Sequence, residues 1–172
     1  MSTLQVLTAT VETKLGSWLV ASTEQGLCFL GFEADCAQEK LERYCERLQA
    51  IVEFAKADGE CDDAISQLTE YAQGSRRTFD LALDLCGTDF ELKVWSELQR
   101  IPFGETRTYG GLAIAVGDPG AARAVGGANG RNPLPVIVPC HRVVAADGLG
   151  GFSGGAGIKE RLLAHEGTLL FG

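Results

Sequence analysis

A cysteine and a histidine stand side by side at Cys140-His141, between Pro139 and Arg142, in a chain with six cysteines and two histidines. The nucleophilic form of cysteine is the thiolate, and a free thiol titrates near about 8.5. At neutral pH it therefore needs a base. An imidazole can take the proton, directly or through a water, if a carboxylate steadies the imidazolium that results. Glu166, which closes the last helix, supplies that carboxylate, and Asn132 and His165 lie close enough in sequence to orient the pair. A buried structural cysteine is the alternative for Cys140, since free cysteine packs as a small hydrophobe. Directly after the pair, residues 148–157 hold six glycines around Phe152-Ser153. Such a stretch allows tight turns and close backbone approach to a ligand, as a lid over a flat molecule would require.

The remaining cysteines, Cys28, Cys36, Cys45, Cys61 and Cys86, form no Cys-x-x-Cys pair. With so few histidines the spacing argues against zinc, and neither a metal nor a cofactor is expected. Residues 1–10 lack the basic start and apolar run of a secretory signal, and no apolar run approaches a membrane span. Free thiols and a cytoplasmic location follow as expectations.

A net charge of −8 over 172 residues argues against a nucleic-acid partner until it is divided. Residues 1–87 carry 15 acids against 7 bases, whereas residues 88–172 carry 8 of each. Within 100–142 five arginines face only Glu105 and Asp118. Local field matters more than total charge, so this half can still meet phosphates.

The elements that must position these residues divide in the same way. Alternation predicts strands over 3–12, 17–23 and 26–33, with a turn at Glu24-Gln25-Gly26. Helical spacing of Leu41, Tyr44, Leu48 and Ile51 predicts a helix over about 37–54, and a second runs over about 63–73, stopped by Gly74. Phe79, Leu81, Leu83 and Leu85 alternate, predicting a strand over 77–85. The first half is then a small α+β scaffold with a sheet of about four strands. In the second half Thr88 and Glu91 have capping-box spacing before a helix buried along Phe90, Val94, Leu98 and Ile101. Thr108 caps a short helix over 109–116. After Gly117-Asp118, a helix over about 119–128 is predicted, with Pro119 in its first turn and small residues throughout. Two helices joined by a tight turn form a helix-turn-helix pattern. Arg123 is the one long charged side chain on that smooth second helix, placed to contact phosphate or fill the space left by a displaced base. A strand over 136–138 enters Pro139, and a last helix covers 158–165.

Taken together, these residues resemble the O6-alkylguanine-DNA alkyltransferase family over about 88–167. The matching segments are Trp95, Ile101-Pro102, Gly104-Glu105-Thr106, Thr108-Tyr109, Ala121 to Gly126, Asn129 to Pro133, Pro139 to Val143, Ser153-Gly154-Gly155 and Lys159 to Gly167. The resemblance implies an α+β protein: a ribonuclease-H-like domain over 1–87, and a mostly helical domain over 88–172 with a winged helix-turn-helix that enters the minor groove of double-stranded DNA. It implies direct-reversal repair, in which Cys140 irreversibly takes the alkyl group from O6 of a flipped guanine, once per molecule; action on O4 of thymine stays open. By the same resemblance Asn132, His141 and Glu166 stand behind the cysteine, and Arg123 replaces the flipped nucleotide in the stack. Tyr109 meets the phosphate and guanine N3, the carbonyls of Cys140 and Val143 accept from the exocyclic amine, and the Ser153 backbone donates to O6. Thr108, Ala122, Gly126, Gly127, Asn129 and Arg131 complete the DNA-facing set. A monomer is implied, with cooperative assembly on DNA left open.

Phe152 stands where some members have tyrosine, so no hydroxyl reaches the lesion from that position. Three alternatives stand beside this reading. A non-enzymatic lesion-binding relative would keep Tyr109 and Arg123 but carry tryptophan at the cysteine. A Cys-His hydrolase would turn over repeatedly. A sequence-reading regulator would need more side chains on residues 119–128 than that helix has. We also expect an alkyl group on Cys140 to crowd the helix-turn-helix and destabilise the fold.

Overall fold

The computed structural model describes residues 3–152 and 154–168. Two compact units divide the chain, Met1–Cys86 and Gly87–Gly172.

The first unit is built on a meander of β1 (Thr3–Thr13), β2 (Gly16–Thr23) and β3 (Gly26–Phe32), antiparallel in sequence. Helix α1 (Ala37–Cys45) then returns the chain to β4 (Ile51–Lys56), which lies parallel to β1 from Thr3↔Ile51 to Thr8↔Lys56. The strand order is β3-β2-β1-β4. Val6, Leu19, Ala21 and Phe29 bury against Leu41, Tyr44 and Cys45 of α1. Helix α2 (Asp62–Gln73) adds Ala64, Leu68, Tyr71 and Ala72 to the core and ends at Gly74 in the left-handed region.

Two expectations for this unit are corrected. The helix predicted over 37–54 stops at Cys45, because Gln49 turns left-handed (φ 51°) and residues 51–56 join the sheet. Isoleucine and valine at 51–52 suit a pleated ladder, and pairing with β1 overrides the helical spacing. The strand predicted over 77–85 reduces to one bridge, Leu27↔Leu83, closed by Leu27 N–H to Ala82 O (2.9 Å) and Asp84 N–H to Leu27 O (2.8 Å). Side chains take the backbone groups that a ladder would need. Gln67 of α2 accepts from Asp80 N–H (2.8 Å) and donates to Asp80 O (2.9 Å), while Arg76 donates to Thr78 O (3.0 Å).

The second unit begins with α3 (Asp89–Leu98), opened by a full capping box: Thr88 Oγ1 accepts from Glu91 N–H and the Glu91 carboxylate from Thr88 N–H. Such a cap contributes about 1 kcal/mol. Strand β5 (Arg107–Thr108) leads into α4 (Tyr109–Ala115), capped by Thr108, and α5 (Ala122–Gly130) follows. The helix predicted from Pro119 starts three residues later. Asp118 spends its carboxylate on Gly120 N–H (3.2 Å) and its carbonyl on Ala121 N–H (3.0 Å), holding residues 118–121 as a turn. Val125, Ala128 and Asn129 bury one face of α5, and Trp95 of α3 donates its indole N–H to Ala128 O (2.9 Å).

The strand predicted over 136–138 is absent. Residues 134–138 coil through turns, with Val136 at φ 75° and Val138 N–H bonded to Leu134 O (2.8 Å). Their apolar run reflects full burial rather than a ladder. Beyond it β6 (Val143–Val144) pairs in parallel with β5, and α6 (Ala156–His165) closes the unit.

Candidate functional site

Cys140 opens a single 3-10 turn, Cys140–Arg142, squeezed between the buried coil and β6. All three side chains of the turn are buried, with His141 at 0% exposure. A turn this tight sends adjacent side chains in different directions. His141 Nε2 reaches Glu166 Oε1 at 2.7 Å. Arg142 grips the same carboxylate from the other side, Nε to Oε2 and Nη2 to Oε1, both 2.9 Å, and its Nη1 donates to Ile101 O (2.6 Å). The Arg142 guanidinium also lies over Phe103, 5.8 Å from the ring centre, and His165 meets that ring edge-on. Gly104 N–H adds a longer bond to Glu166 Oε2 (3.4 Å). Glu166 caps the C-terminus of α6, so the register of that helix sets where the carboxylate points.

On the other side of the cysteine, Asn132 donates to Val138 O (2.7 Å), accepts from Leu134 N–H (3.0 Å), and its side chain hydrogen-bonds the thiol. Asn129 donates to Cys140 O (3.4 Å). Lys159 of α6 is buried at 0% exposure and donates Nζ to Val143 O (2.6 Å) and Gly151 O (3.1 Å). The hydroxyl of Tyr109 donates to that same Gly151 carbonyl (3.2 Å). Gly150 holds φ 74°, and a Cβ there would come within 2.9 Å of the Tyr109 ring, so only glycine lets the loop pass so close.

The electrostatics follow from burial. Burial pushes the Cys140 thiol up to about 11, against the pull of Asn132 and of the Lys159 charge. The same effect lowers His141 and brings Lys159 down to about 8, although the Cys140 charge supports Lys159. Burial alone would raise Glu166. Hydrogen bonds from His141 and Arg142, and their charges, win instead and hold it well below the usual carboxylate range. Burial raises Tyr109, and the nearby cysteine raises it further. A buried, protonated thiol is thus backed by a neutral imidazole on an ionised carboxylate, an arrangement suited to removing one proton from one sulfur.

Cys140, His141, Glu166, Asn132, Asn129, Val143 and Tyr109 converge here. Arg123 is exposed on α5, with Ala122, Gly126 and Gly127 partly exposed beside it, and Thr108 serves as the cap of α4. Arg131 donates Nε to buried Glu91 (2.5 Å), tying the end of α5 to the start of α3. Ser153 lies outside the described residues, so its assigned contact is not placed. Arg142 and Lys159 were not singled out from sequence. Arg142 was legible as a charge inside an apolar run, and Lys159 was legible by helical spacing, since it shares one face of α6 with buried Leu162, Leu163 and Glu166. Among the described residues no group of three or more His, Cys, Asp or Glu could hold a metal ion, and no helix is long and apolar enough to cross a membrane.

Comparison with known proteins gives a consistent picture. Residues 89–168 match the description "6-O-methylguanine DNA methyltransferase, DNA binding domain", and residues 6–85 match "6-O-methylguanine DNA methyltransferase, ribonuclease-like domain". A methylated-DNA--protein-cysteine methyltransferase of Methanosarcina acetivorans is 40% identical over 161 residues, covering 93% of this chain and 97% of that one. One of the same name from Mycobacterium leprae is 54% identical over 110 residues, covering 63% of this chain and 67% of that protein. The crystal structure of Mycobacterium tuberculosis OGT in complex with DNA superposes with a TM-score of 0.78 at 38% identity, over 96% of this chain and 92% of that one.

Proposed function

The chain belongs to the 6-O-methylguanine DNA methyltransferase family, and from that premise we propose that it repairs DNA by moving an alkyl group from O6 of guanine to Cys140, irreversibly and once per molecule. The observation that carries this reading is the buried Cys140 beside His141, whose Nε2 is bonded to an ionised Glu166 while its Nδ1 is buried with no hydrogen-bond partner among the described residues. An orphaned imidazole nitrogen on the residue that follows a protonated thiol is a base that a bridging water can connect to that thiol.

In the reaction His141 takes the thiol proton, directly or through a water. The sulfur lone pair forms a bond to the alkyl carbon as the carbon–O6 bond breaks, and its electron pair leaves with guanine. The Tyr109 hydroxyl, released from Gly151, offers the departing base a hydrogen bond at N3, and guanine regains its proton from solvent. No group present breaks the thioether, so turnover stops at one.

The target carbon is buried in a duplex, so the nucleotide must be flipped out. The nearly bare surface of α5 suits close approach to the minor groove, with exposed Arg123 filling the vacated stack. Binding of this kind reads phosphates and groove shape rather than sequence. Six free cysteines, one of them the alkyl acceptor, fit a reducing compartment, and we assign the protein to the cytoplasm.

The test is to incubate the protein with a duplex containing O6-methylguanine and weigh the intact chain and its peptides. One added methylene on the Cys140 peptide, saturating at one equivalent and absent from Cys140→Ala, is the expected result. Lesion-dependent binding without that mass gain would instead favour a lesion sensor.

A further inference from the structure

Arg142 is buried in the site, yet the reaction as written does not use it. Its guanidinium donates to both oxygens of Glu166 and to the carbonyl of Ile101, and its face is covered by Phe103. A carboxylate held on both oxygens by a guanidinium stays ionised. An ionised carboxylate only accepts, so the shared hydrogen with His141 must sit on Nε2. In a neutral imidazole the other nitrogen, Nδ1, is then a bare acceptor, and Nδ1 is the His141 atom found buried without a partner among the described residues.

Glu166 would by itself draw His141 to the imidazolium, since its hydrogen bond and its charge both favour the protonated ring. A histidine already protonated takes no proton from a thiol. Burial does most to keep the ring neutral; besides neighbouring Cys140, three groups then bear on it, Glu166 beyond α6 raising it and Arg142 on the same turn and Lys159 on α6 lowering it. Arg142 is the one bonded to Glu166, so it both anchors the carboxylate and offsets its charge.

We infer that Arg142 is a positioning residue for alkyl transfer: its two-point hold on Glu166 offsets the charge of that carboxylate and fixes the shared hydrogen on His141 Nε2, leaving Nδ1 open to the Cys140 proton. The inference rests on Cys140 being the alkyl acceptor. The balance is simple. The thiol proton moves through a bridging water to Nδ1, the sulfur bonds to the alkyl carbon as the carbon–O6 bond breaks and its electron pair leaves with guanine, and the imidazolium that forms remains hydrogen-bonded to Glu166. Arg142 thereby exchanges some base strength for a base that is free to act.

Two measurements test it. The first needs no mutation: nitrogen-15 NMR of the histidine ring in the wild-type protein at about pH 7. The expected spectrum shows His141 neutral and protonated on Nε2; an imidazolium, or a proton on Nδ1, overturns the inference. The second is the pH profile of single-turnover methyl transfer for wild type, Arg142→Gln and Arg142→Lys. In Arg142→Gln the acid limb should move up by about one pH unit, a roughly tenfold loss on that limb relative to the alkaline plateau. Arg142→Lys, which keeps the charge, should recover most of the shift. A profile for Arg142→Gln that is lower but parallel to wild type reduces Arg142 to a structural group and overturns the inference. Should Arg142→Gln not fold, Arg142→Lys and the wild-type spectrum decide. If wild-type Cys140 gains no methyl group, the functional reading fails. If it does and the ring is wrongly protonated, only the role of Arg142 fails.

Discussion

The two units bury thiols in opposite company. In Met1–Cys86 the buried polar residues among those described are Ser22 and Thr23, whereas Gly87–Gly172 buries Glu91, Asn129, Asn132, His141, Arg142, Lys159 and Glu166. Cys28 and Cys45 of the first unit are driven up to about 12 and about 11 chiefly by burial, much as Cys140 is. Cys28 rests on the carbonyl of Ala21 (3.4 Å) and Cys45 packs among Leu41, Tyr44 and Phe29. The charges that bear on them, Asp84 on Cys28 and Glu42 on Cys45, raise them further, whereas Asn132 and the Lys159 charge pull Cys140 down. Burial by itself therefore makes a thiol inert, and what distinguishes Cys140 is the set of charged groups folded in behind it.

The sharpest way to break this contrast is to exchange the fates of the cysteines. Cys140→Ala should abolish methyl uptake completely, and Cys28→Ala should leave the single-turnover rate of the folded protein at the wild-type value, both read by mass spectrometry. Next in size is Glu166→Gln, which leaves Arg142 buried without its counter-charge and His141 without its anchor. The transfer rate should fall by about 10²–10⁴-fold, and denaturant unfolding should show a loss of about 3–5 kcal/mol. In the first unit Leu41→Ala, at a site with no exposure, should cost about 2–5 kcal/mol. It should leave the rate of the folded fraction unchanged, a pattern opposite to that of Glu166→Gln.

The smallest effect is a pH dependence that separates the units. Glu166 is depressed on folding, so its stabilisation is present above the ordinary carboxylate value of 4.5 and is lost as pH falls below it. Cys28 and Cys45 are raised, so they remain neutral in the fold while the unfolded chain ionises above about 9. Stability of the first unit should decline as pH rises past that value. Amide hydrogen exchange followed in each unit would show acid weakening Gly87–Gly172 more than Met1–Cys86, whereas alkali weakens both, since Cys140 is raised as Cys28 and Cys45 are. Equal responses to acid in both would remove the contrast.

The sequence made parts of this legible and hid others for physical reasons. The capping box of α3, the Thr108 cap and the Gly74 stop are local hydrogen-bond patterns, so residue types alone placed them. His141 and Glu166 meet at 2.7 Å because the 3-10 turn and the end of α6 that carry them are short elements of one unit. Strand β4 was hidden because a helix-like spacing ran into it, and only pairing with β1, some 48 residues earlier in register, decides the matter. The strand expected at 77–85 failed for the converse reason: alternation was present, but Gln67 and Arg76 claimed the backbone. The bonds that Lys159 makes to Val143 and Gly151 depend on the path of a loop, and no pattern along α6 could announce them.

That lysine gives the spent molecule a different electrical balance. Before reaction the buried cations Arg142 and Lys159 face Glu166 and a sulfur still able to become an anion, and the Cys140 charge helps Lys159 keep its proton. A thioether can never carry that charge. In the alkylated protein no thiolate can form near Lys159, whose ammonium among the described residues bonds the carbonyls of Val143 and Gly151, so wherever a fresh thiol would ionise the lysine proton should come off more readily and the clasp on Gly151 should slacken. Faster hydrogen exchange around Gly151 in the methylated protein, with β1 and β2 unchanged, would register this. The chemistry would then leave a memory in the fold, a molecule distinguishable from its fresh copies by the loosening of one loop.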